Sequence, residues 1–226
     1  MIKASIILPT LNEQDQVSMR LQALQPLRKQ GVELILVDGG SQDDTWTLAE
    51  GKVDQRIMTS PGRALQMNAG ARVAQGQWLC FLHIDTRLTP LAEAALIRHM
   101  QQSVPGWGRF DVRIEGQHPL LVVVAGMMNL RSRWSGIATG DQLIFVHRQL
   151  FDAVGGFPQQ PLMEDVELSK RLKQLMKPCC LSESVITSGR RWDTRGFWST
   201  VWLMWSLRWR YWRGVSAETL VKEYYP

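Results

Sequence analysis

Trp78-Leu79-Cys80-Phe81-Leu82-His83-Ile84-Asp85-Thr86 is the stretch of sequence that decides the fold. Its first five residues are apolar and lack polar alternation, which is typical of a central parallel strand covered on both faces. His83 and Asp85 follow, and in an extended chain residues two apart face the same side. Because ligands of open α/β sheets bind beyond the carboxyl ends of the strands, we predict that this pair holds a divalent cation. In the alternative interpretation, Asp85 and Thr86 only cap a helix that begins near Pro90.

Strand and helix patterns alternate around this stretch. Strand patterns cover Ala4 to Leu8, Leu34 to Val37 and Arg56 to Met58, and a helical pattern covers Glu13 to Lys29. This alternation predicts an α/β fold with a doubly wound, mostly parallel sheet. No G-x-G-x-x-G motif follows the first strand, so a dinucleotide-binding protein of the NAD type is disfavoured.

Length and composition favour one globular domain. The chain has 226 residues, of which 45% are apolar and 21% charged. We expect that domain at residues 1–190 and a C-terminal extension at residues 191–226. The sequence has no apolar run of about eighteen residues and no recognisable N-terminal signal. Its three cysteines lack paired spacing, which indicates reduced thiols, so we expect a cytoplasmic protein.

Four motifs occur in order, each at the end of a predicted strand or the start of a predicted helix. They are Ser5-Ile6-Ile7-Leu8-Pro9-Thr10-Leu11-Asn12-Glu13, Val37-Asp38-Gly39-Gly40-Ser41-Gln42-Asp43-Asp44-Thr45, the strand that ends at Asp85, and Glu164-Asp165. From residue 5 to about residue 170, the set resembles glycosyltransferase family 2 with the GT-A fold. The resemblance implies a nucleotide-sugar-binding α/β sandwich with helices on both faces of its sheet. It also implies inverting sugar transfer from a nucleotide-diphospho-sugar to a hydroxyl acceptor, assisted by Mn²⁺ or Mg²⁺.

The same resemblance implies roles for individual residues. It makes Asp38 a hydrogen-bond partner of the base, beside Gly39, where the lack of a side chain permits close ligand approach. Asp85 becomes the metal-binding carboxylate and Asp165 the general base. The remaining contacts that the resemblance implies are to the nucleoside and the donor, at Pro9, Thr10, Glu13, Arg63 and Asn68.

The sequence departs from the family pattern in two ways. His83 stands where the family has the first aspartate of D-x-D, and imidazole suits Mn²⁺ better than Mg²⁺. Arg190-Arg191-Trp192 resembles only the end of the Q-x-x-R-W motif of processive polysaccharide synthases, so a processive synthase is disfavoured. The His-x-Asp-Thr variant and the short chain are similar to a small bacterial branch of the family that is associated with selenium-domain or radical-SAM proteins.

Chemistry supports two carboxylates in these roles, although each residue has a simpler interpretation. Displacement of a nucleoside diphosphate builds charge that a divalent ion offsets, and a carboxylate can take the proton of the attacking hydroxyl. Asp165 is otherwise an acid in the first turn of a helix, where the helix dipole favours it. Asp141-Gln142 is either an acceptor-loop contact or a turn.

The C-terminal extension is rich in tryptophan and arginine. Between Phe197 and Trp212 the aromatic residues recur at spacings of three and four, which predicts an amphipathic helix. Indole and guanidinium groups suit a membrane interface, whereas packing over the core or in a homodimer interface is the alternative. The arginines indicate an anionic partner, but no motif supports nucleic-acid binding.

Two other functions fit parts of this pattern. A sugar-phosphate nucleotidyltransferase also has metal carboxylates at strand ends, but no basic glycine-rich loop follows the first strand here. A non-catalytic nucleotide-sugar-binding protein at a membrane surface would explain the change to His83. The released product distinguishes the three functions. A glycosyltransferase releases nucleoside diphosphate, a nucleotidyltransferase releases pyrophosphate, and a non-catalytic binding protein releases neither.

Overall fold

The computed structural model describes residues 4–101 and 104–224. Residues 1–3, 102–103 and 225–226 of the expected domain and extension lie outside these ranges. The described residues form one eight-stranded sheet in the order β3-β2-β1-β4-β7-β6-β8-β5. Its strands are β1 (Ala4–Thr10), β2 (Val32–Asp38), β3 (Gln55–Met58), β4 (Trp78–Phe81), β5 (Thr86–Leu88), β6 (Trp107–Glu115), β7 (Ile144–His147) and β8 (Cys179–Ser188).

Helices cover both faces of the sheet, as expected. They are α1 (Gln14–Ala23), α2 (Gln25–Lys29), α3 (Thr45–Leu48), α4 (Arg63–Val73), α5 (Pro90–Met100), α6 (Leu121–Ser135), α7 (Arg148–Ala153), α8 (Glu164–Leu175), α9 (Arg190–Arg195), α10 (Phe197–Trp212) and α11 (Ala217–Tyr224). On one face, α1, α2 and α5 bury apolar residues against the sheet. On the other face, α4, α7 and α8 do so.

The helix expected from Glu13 to Lys29 is two helices. Leu24 separates α1 from α2, and Pro26 lies in the first turn of α2. Proline has no backbone N–H to continue the hydrogen-bond ladder of α1, whereas it is tolerated in the first turn of a new helix.

The sheet has a parallel half and a mixed half. β3, β2, β1 and β4 are parallel neighbours, with Thr10 opposite Asp38 and Ile7 opposite Phe81. β7 is antiparallel to both β4 and β6, and β5 is antiparallel to β8, which is itself parallel to β6. The expected parallel strands therefore build the first half, and the second half of the chain adds mixed pairings.

The tryptophan-rich segment forms α10 with the expected bounds, but its aromatic stripe faces outward. Phe197, Thr200 and Leu207 are its buried residues. Five tryptophans, each 59–76% exposed, lie on the outer face: Trp198, Trp202, Trp205, Trp209 and Trp212. The interpretation that they pack over the core is therefore wrong. Within residues 4–101 and 104–224, no helix has the length and hydropathy needed to cross a membrane.

Candidate functional site

Two loops at the carboxyl ends of β1 and β2 are joined by hydrogen bonds. The Asn12 N–H donates to Ser41 Oγ at 2.9 Å, and the Gln42 N–H donates to Asn12 Oδ1 at 2.8 Å. The Glu13 N–H donates to Thr45 Oγ1 at 2.7 Å. These bonds fix Glu13 and the loop after Asp38 at the carboxyl ends of the parallel strands, the edge at which an α/β sheet presents its ligands and which we call the cleft.

Asp38 is the residue of this region whose hydrogen bonding is incomplete. Its Oδ1 accepts from the N–H groups of Gly40 at 2.7 Å and Ser41 at 2.6 Å. Its Oδ2 is buried and has no hydrogen-bond partner. A buried carboxylate oxygen without a partner is unfavourable, so a donor group on a ligand would complete this site.

Gln66 holds the two strand ends together, a role that the sequence analysis missed. The side chain is 4% exposed, and its Nε2 donates to the carbonyls of Thr10 and Val37, both at 2.8 Å. Thr10 is itself buried, with its hydroxyl 3.4 Å from the Val37 carbonyl, and Pro9 is partly buried beside it. The one available signal was a polar residue among the small and apolar residues on the buried face of α4.

Glu13 and Asp85 lie close enough for their charges to interact. Burial raises the pKa of the Glu13 carboxyl, Arg190 opposes this rise, and Asp85 adds to it. Arg190 Nη2 lies 3.7 Å from Glu13 Oε1. Asp85 is partly exposed, and Arg20 is a second charged neighbour. Asp85 therefore belongs to the same end of the cleft as Asp38, which we call the donor end.

His83 and Asp85 lie in a turn instead of an extended segment. The Thr86 N–H donates to the His83 carbonyl at 3.0 Å, so the expectation of an extended chain here is wrong, whereas a shared metal ion stays a prediction. The His83 ring lies against Gly140, where an added Cβ would sit 2.2 Å from Cε1. Its Nδ1 lies 3.7 Å from Asp141 Oδ1.

The loop that covers His83 leads to Asp165. The Gly140 N–H donates to Asp165 Oδ2 at 2.8 Å, and the Val166 N–H donates to Oδ1 at 2.7 Å. Burial disfavours ionisation of Asp141, but His83 and more distant arginines outweigh this effect and hold its pKa below the ordinary value. Asp141 is therefore a member of the charged cluster at this end of the cleft, which we call the base end.

Glu164 is the buried partner of Asp165. Burial, aided by the negative charge of Asp165, raises the pKa of the Glu164 carboxyl to about 7. Arg63 and His83 oppose this rise. Arg63 also acts on Glu13 and Asp141, so its guanidinium lies between the two ends of the cleft.

Asn68 ties α4 to the segment after α7. Its Nδ2 donates to the Phe157 carbonyl at 2.8 Å, and its Oδ1 accepts from the Phe157 N–H at 3.0 Å. Both polar groups of the amide thus bind the backbone after α7. The expected contact of Asn68 with the donor stays a prediction.

Strained backbone occurs beside the site. Asn12, Leu143 and Met163 have positive φ values of 53°, 49° and 64°. Such values cost non-glycine residues about 1–2 kcal/mol each and recur near functional groups. Asn12 precedes Glu13 and Met163 precedes Glu164, so the strain lies directly next to two charged residues of the cleft.

Metal ligands at the site are few. In the ranges that the structure describes, no three histidine, cysteine, aspartate or glutamate side chains are grouped closely enough to hold an ion by themselves. Mg²⁺ often binds through one or two carboxylates with substrate phosphates, and such a site needs fewer protein ligands.

Comparison with known proteins identifies a family. The family model "Glycosyl transferase family 2" matches residues 5–118. The "PGL/p-HBAD biosynthesis glycosyltransferase" sequences of Mycobacterium bovis and Mycobacterium tuberculosis are 30% identical to this chain over 173 residues. The match covers 68% of this chain and 62% of the relatives, so the chain spans less than two thirds of their length.

Solved structures share the fold at low sequence identity. The mannosyltransferase PcManGT from Pyrobaculum calidifontis, in complex with GDP-Man and Mn²⁺, has a TM-score of 0.62 at 18% identity over 81% of this chain and 56% of its own. S. aureus TarS in complex with UDP-GlcNAc has a TM-score of 0.65 at 16% identity, over 82% of this chain and 58% of its own. Glucosyl-3-phosphoglycerate synthase from M. tuberculosis, in complex with Mn²⁺, UDP and glucosyl-3-phosphoglycerate, has a TM-score of 0.60 at 17% identity, over 80% and 70%. The chain has the GT-A fold and belongs to glycosyltransferase family 2.

Proposed function

We propose that this chain is an inverting glycosyltransferase that moves a sugar from a nucleotide-diphospho-sugar to a hydroxyl acceptor. The observation that carries the proposal is the orientation of the Asp165 carboxylate. Two backbone N–H groups hold it, at 2.8 Å from Gly140 and 2.7 Å from Val166, beside the loop that covers the end of β4. A fixed carboxylate at that position suits a general base for the acceptor hydroxyl.

The donor end suits a nucleoside diphosphate. The unpaired Oδ2 of Asp38 is the acceptor for the base. Gly39 lies beside the nucleoside in this proposal, and its lack of a Cβ makes room for Gln66, whose Nε2 would lie 3.2 Å from such an atom. Pro9, Thr10 and Glu13 form the neighbouring wall, and Arg63 lies near the transferred sugar. Three structural neighbours are described in complex with GDP-Man, UDP-GlcNAc or UDP, which supports this class of donor.

A divalent metal ion fits the donor end through Asp85. This carboxylate is partly exposed and carries a charge that acts on Glu13, so it faces the region where the diphosphate would lie. Mn²⁺ or Mg²⁺ held there would act as a Lewis acid on the leaving diphosphate. His83 does not fit as the second ligand, because its ring packs against Gly140 and its Nδ1 faces Asp141.

The transfer is a single displacement. The acceptor oxygen bonds to the anomeric carbon while the bond from that carbon to the diphosphate oxygen breaks. The electron pair of the broken bond leaves with the nucleoside diphosphate, and the hydroxyl proton goes to Asp165. Attack from the face opposite the leaving group inverts the anomeric centre. Burial and the negative charge of Asp165 raise the pKa of Glu164 to about 7, which favours its protonated form.

We propose that α10 docks this cytoplasmic enzyme on a membrane surface. Its five exposed tryptophans lie on one stripe, and α6 adds exposed apolar residues at Val122, Leu130 and Trp134. His118, just before α6, stacks on Phe197 of α10 with ring centroids 4.0 Å apart, so the two helices are neighbours. Indoles at headgroup depth stabilise such an arrangement.

Asp165→Asn is expected to lower turnover by about 10² to 10⁴, because the acceptor proton then has no base. Donor affinity should stay close to the parent value, since Asp165 lies at the base end. The measurement is release of nucleoside diphosphate from candidate nucleotide sugars, with Glu167→Gln on the same helix as control. An Asp165→Asn protein that transfers sugar at the parent rate would refute the assignment.

Asp85→Asn is expected to abolish the Mn²⁺-dependent part of nucleoside diphosphate binding, because an amide is a weaker ligand for a hard cation. His83→Gln should retain it, since His83 faces Asp141. Calorimetric titration of UDP and GDP with and without Mn²⁺ measures both effects. An equal loss of Mn²⁺-dependent binding in the two variants would mean that Asp85 and His83 both bind the ion.

Glu164→Gln is expected to change how stability depends on pH. A carboxyl whose folded pKa is raised from 4.5 to about 7 stabilises the fold most below its unfolded pKa, and this contribution is lost as pH rises through about 7. The free energy of unfolding of the variant, taken relative to that of the parent, should therefore rise by about 2–3 kcal/mol when the pH is raised from 5 to 8. Urea denaturation at both pH values tests this, and Glu167→Gln should show no comparable gain.

The double substitution of Trp202→Ser and Trp205→Ser is expected to weaken binding to phospholipid vesicles by at least about tenfold, because two indoles no longer enter the interface. Co-sedimentation with vesicles measures the affinity, and Leu91→Ser, at an exposed position of α5, is the control. If the parent forms dimers that the double variant does not, and neither binds vesicles, α10 is a dimer interface instead.

A further inference from the structure

Two arginines on neighbouring helices stand beside the base end. Arg131, on α6, has buried Nε and Nη2 atoms without a hydrogen-bond partner. Burial lowers the pKa of its guanidinium to about 9, and the positive charge of Arg208 adds to this effect. Burial also lowers the pKa of Arg208, on α10, and the negative charges of Asp165 and Asp141 oppose this decrease. The two cations therefore lie close to each other and to Asp165.

This arrangement is unfavourable for folding alone. A buried guanidinium without hydrogen bonds is costly, and a second like charge increases the cost. Arg109, nearby on β6, provides the contrast, since it donates to Ser132 Oγ and the Asn129 carbonyl at 3.0 Å each and pairs with Asp111. Arg109 is thus a structural ion-pair residue, whereas Arg131 retains donors for another group.

Asp165 does not satisfy these donors, since its two oxygens accept from the backbone of Gly140 and Val166. Arg190 pairs with Glu13 at the donor end, whereas Arg63 acts on Glu13 and also on Asp141 and Glu164. Arg131 and Arg208 have Asp165 as a charged neighbour, so both arginines lie at the base end.

We propose that Arg131 and Arg208 form an anion subsite that binds a phosphate group carried by the acceptor. The inference rests on the proposed function, since it concerns the acceptor of that reaction. A phosphate supplies acceptor oxygens for the unpaired guanidinium donors, and guanidinium groups bind phosphate in a bidentate geometry. Bound there, the phosphate holds the acceptor with its hydroxyl next to Asp165.

Inorganic phosphate is the first probe, measured by calorimetry on the full chain without any nucleotide. Arg131→Gln and Arg208→Gln should each weaken its binding by about 10- to 100-fold, the loss expected for hydrogen bonds to a charged group. Arg133→Gln and Arg210→Gln remove the same charge from the same helices. They should bind phosphate within about twofold of the parent, because Arg133 pairs with Asp111 and Arg210 pairs with Glu223.

The source of the phosphate is distinguished by two further probes. Glycerol 3-phosphate represents a soluble acceptor, and vesicles of phosphatidylcholine with added phosphatidic acid represent a lipid one. Arginine-dependent binding of the soluble compound supports a soluble phosphorylated acceptor. Vesicle binding that needs both phosphatidic acid and Arg131 supports a lipid acceptor.

Arg131→Met provides a test that does not depend on a stability loss. Removing a buried, unpaired charge should raise the melting temperature of the protein while phosphate binding is lost. A variant that melts lower than the parent would show that Arg131 is a structural residue. Phosphate binding that survives in Arg131→Gln and Arg208→Gln, or that falls equally in the Arg133 and Arg210 controls, would overturn the inference. Release of nucleoside diphosphate from the donor by water, measured separately, reports whether the proposed function itself fails.

Discussion

The cleft depends on the pairing of β2, β1 and β4, three parallel strands whose carboxyl ends stand side by side. Both faces of β1 are buried, with Ile6 and Ile7 fully inaccessible to solvent. Because side chains alternate along a strand, a one-residue slip against β2 or β4 would move every side chain of β1 to the opposite face. The register sets Thr10 opposite Asp38, and Gln66 then binds the backbone of both strand ends. Every later loop of the site is positioned against this fixed edge.

Charge is distributed unequally along the cleft. At one end, Glu13 and Asp85 have Arg190, Arg63 and Arg20 as neighbours. The opposite end combines Glu164, an acid with a raised pKa, the oriented Asp165 carboxylate and the Arg131 guanidinium with its unused donors. A nucleotide with a metal ion suits the first environment, and an acceptor suits the second.

Much of the donor end was predictable from the sequence, because its signals are local. Apolar runs that end in polar loops predict parallel strands. Outside the donor end, the regular spacing of aromatic residues predicted α10 in the same way. The direction of the α10 stripe was not predictable, since a helical period does not say which face a protein covers. The surroundings of His83 were not predictable either, because they depend on a turn and on the close approach of Gly140, a contact between residues far apart in sequence.

Residue type alone predicted neither the backbone contacts of Asn68 nor those of Gln66. Both are amides on α4, and their partners are backbone groups at the ends of other elements, which only the folded chain brings near. The arginines near Asp165 come from two further segments, Arg131 from α6 and Arg208 from α10, so no spacing rule could have found them. Long-range packing determined these roles.

The order of strands in the sheet also has a consequence for how the chain assembles. β1, β2 and β4 are complete once residue 81 has been made, whereas β5 pairs with β8 through Thr86 and Thr187, which are 101 positions apart. Contacts between such distant residues form slowly, because a long loop must close first. During synthesis, the half of the cleft that suits the nucleotide is therefore expected to fold early. Arg208, which acts on Asp165 from α10, joins the other half only later, because α10 follows β8 in the chain.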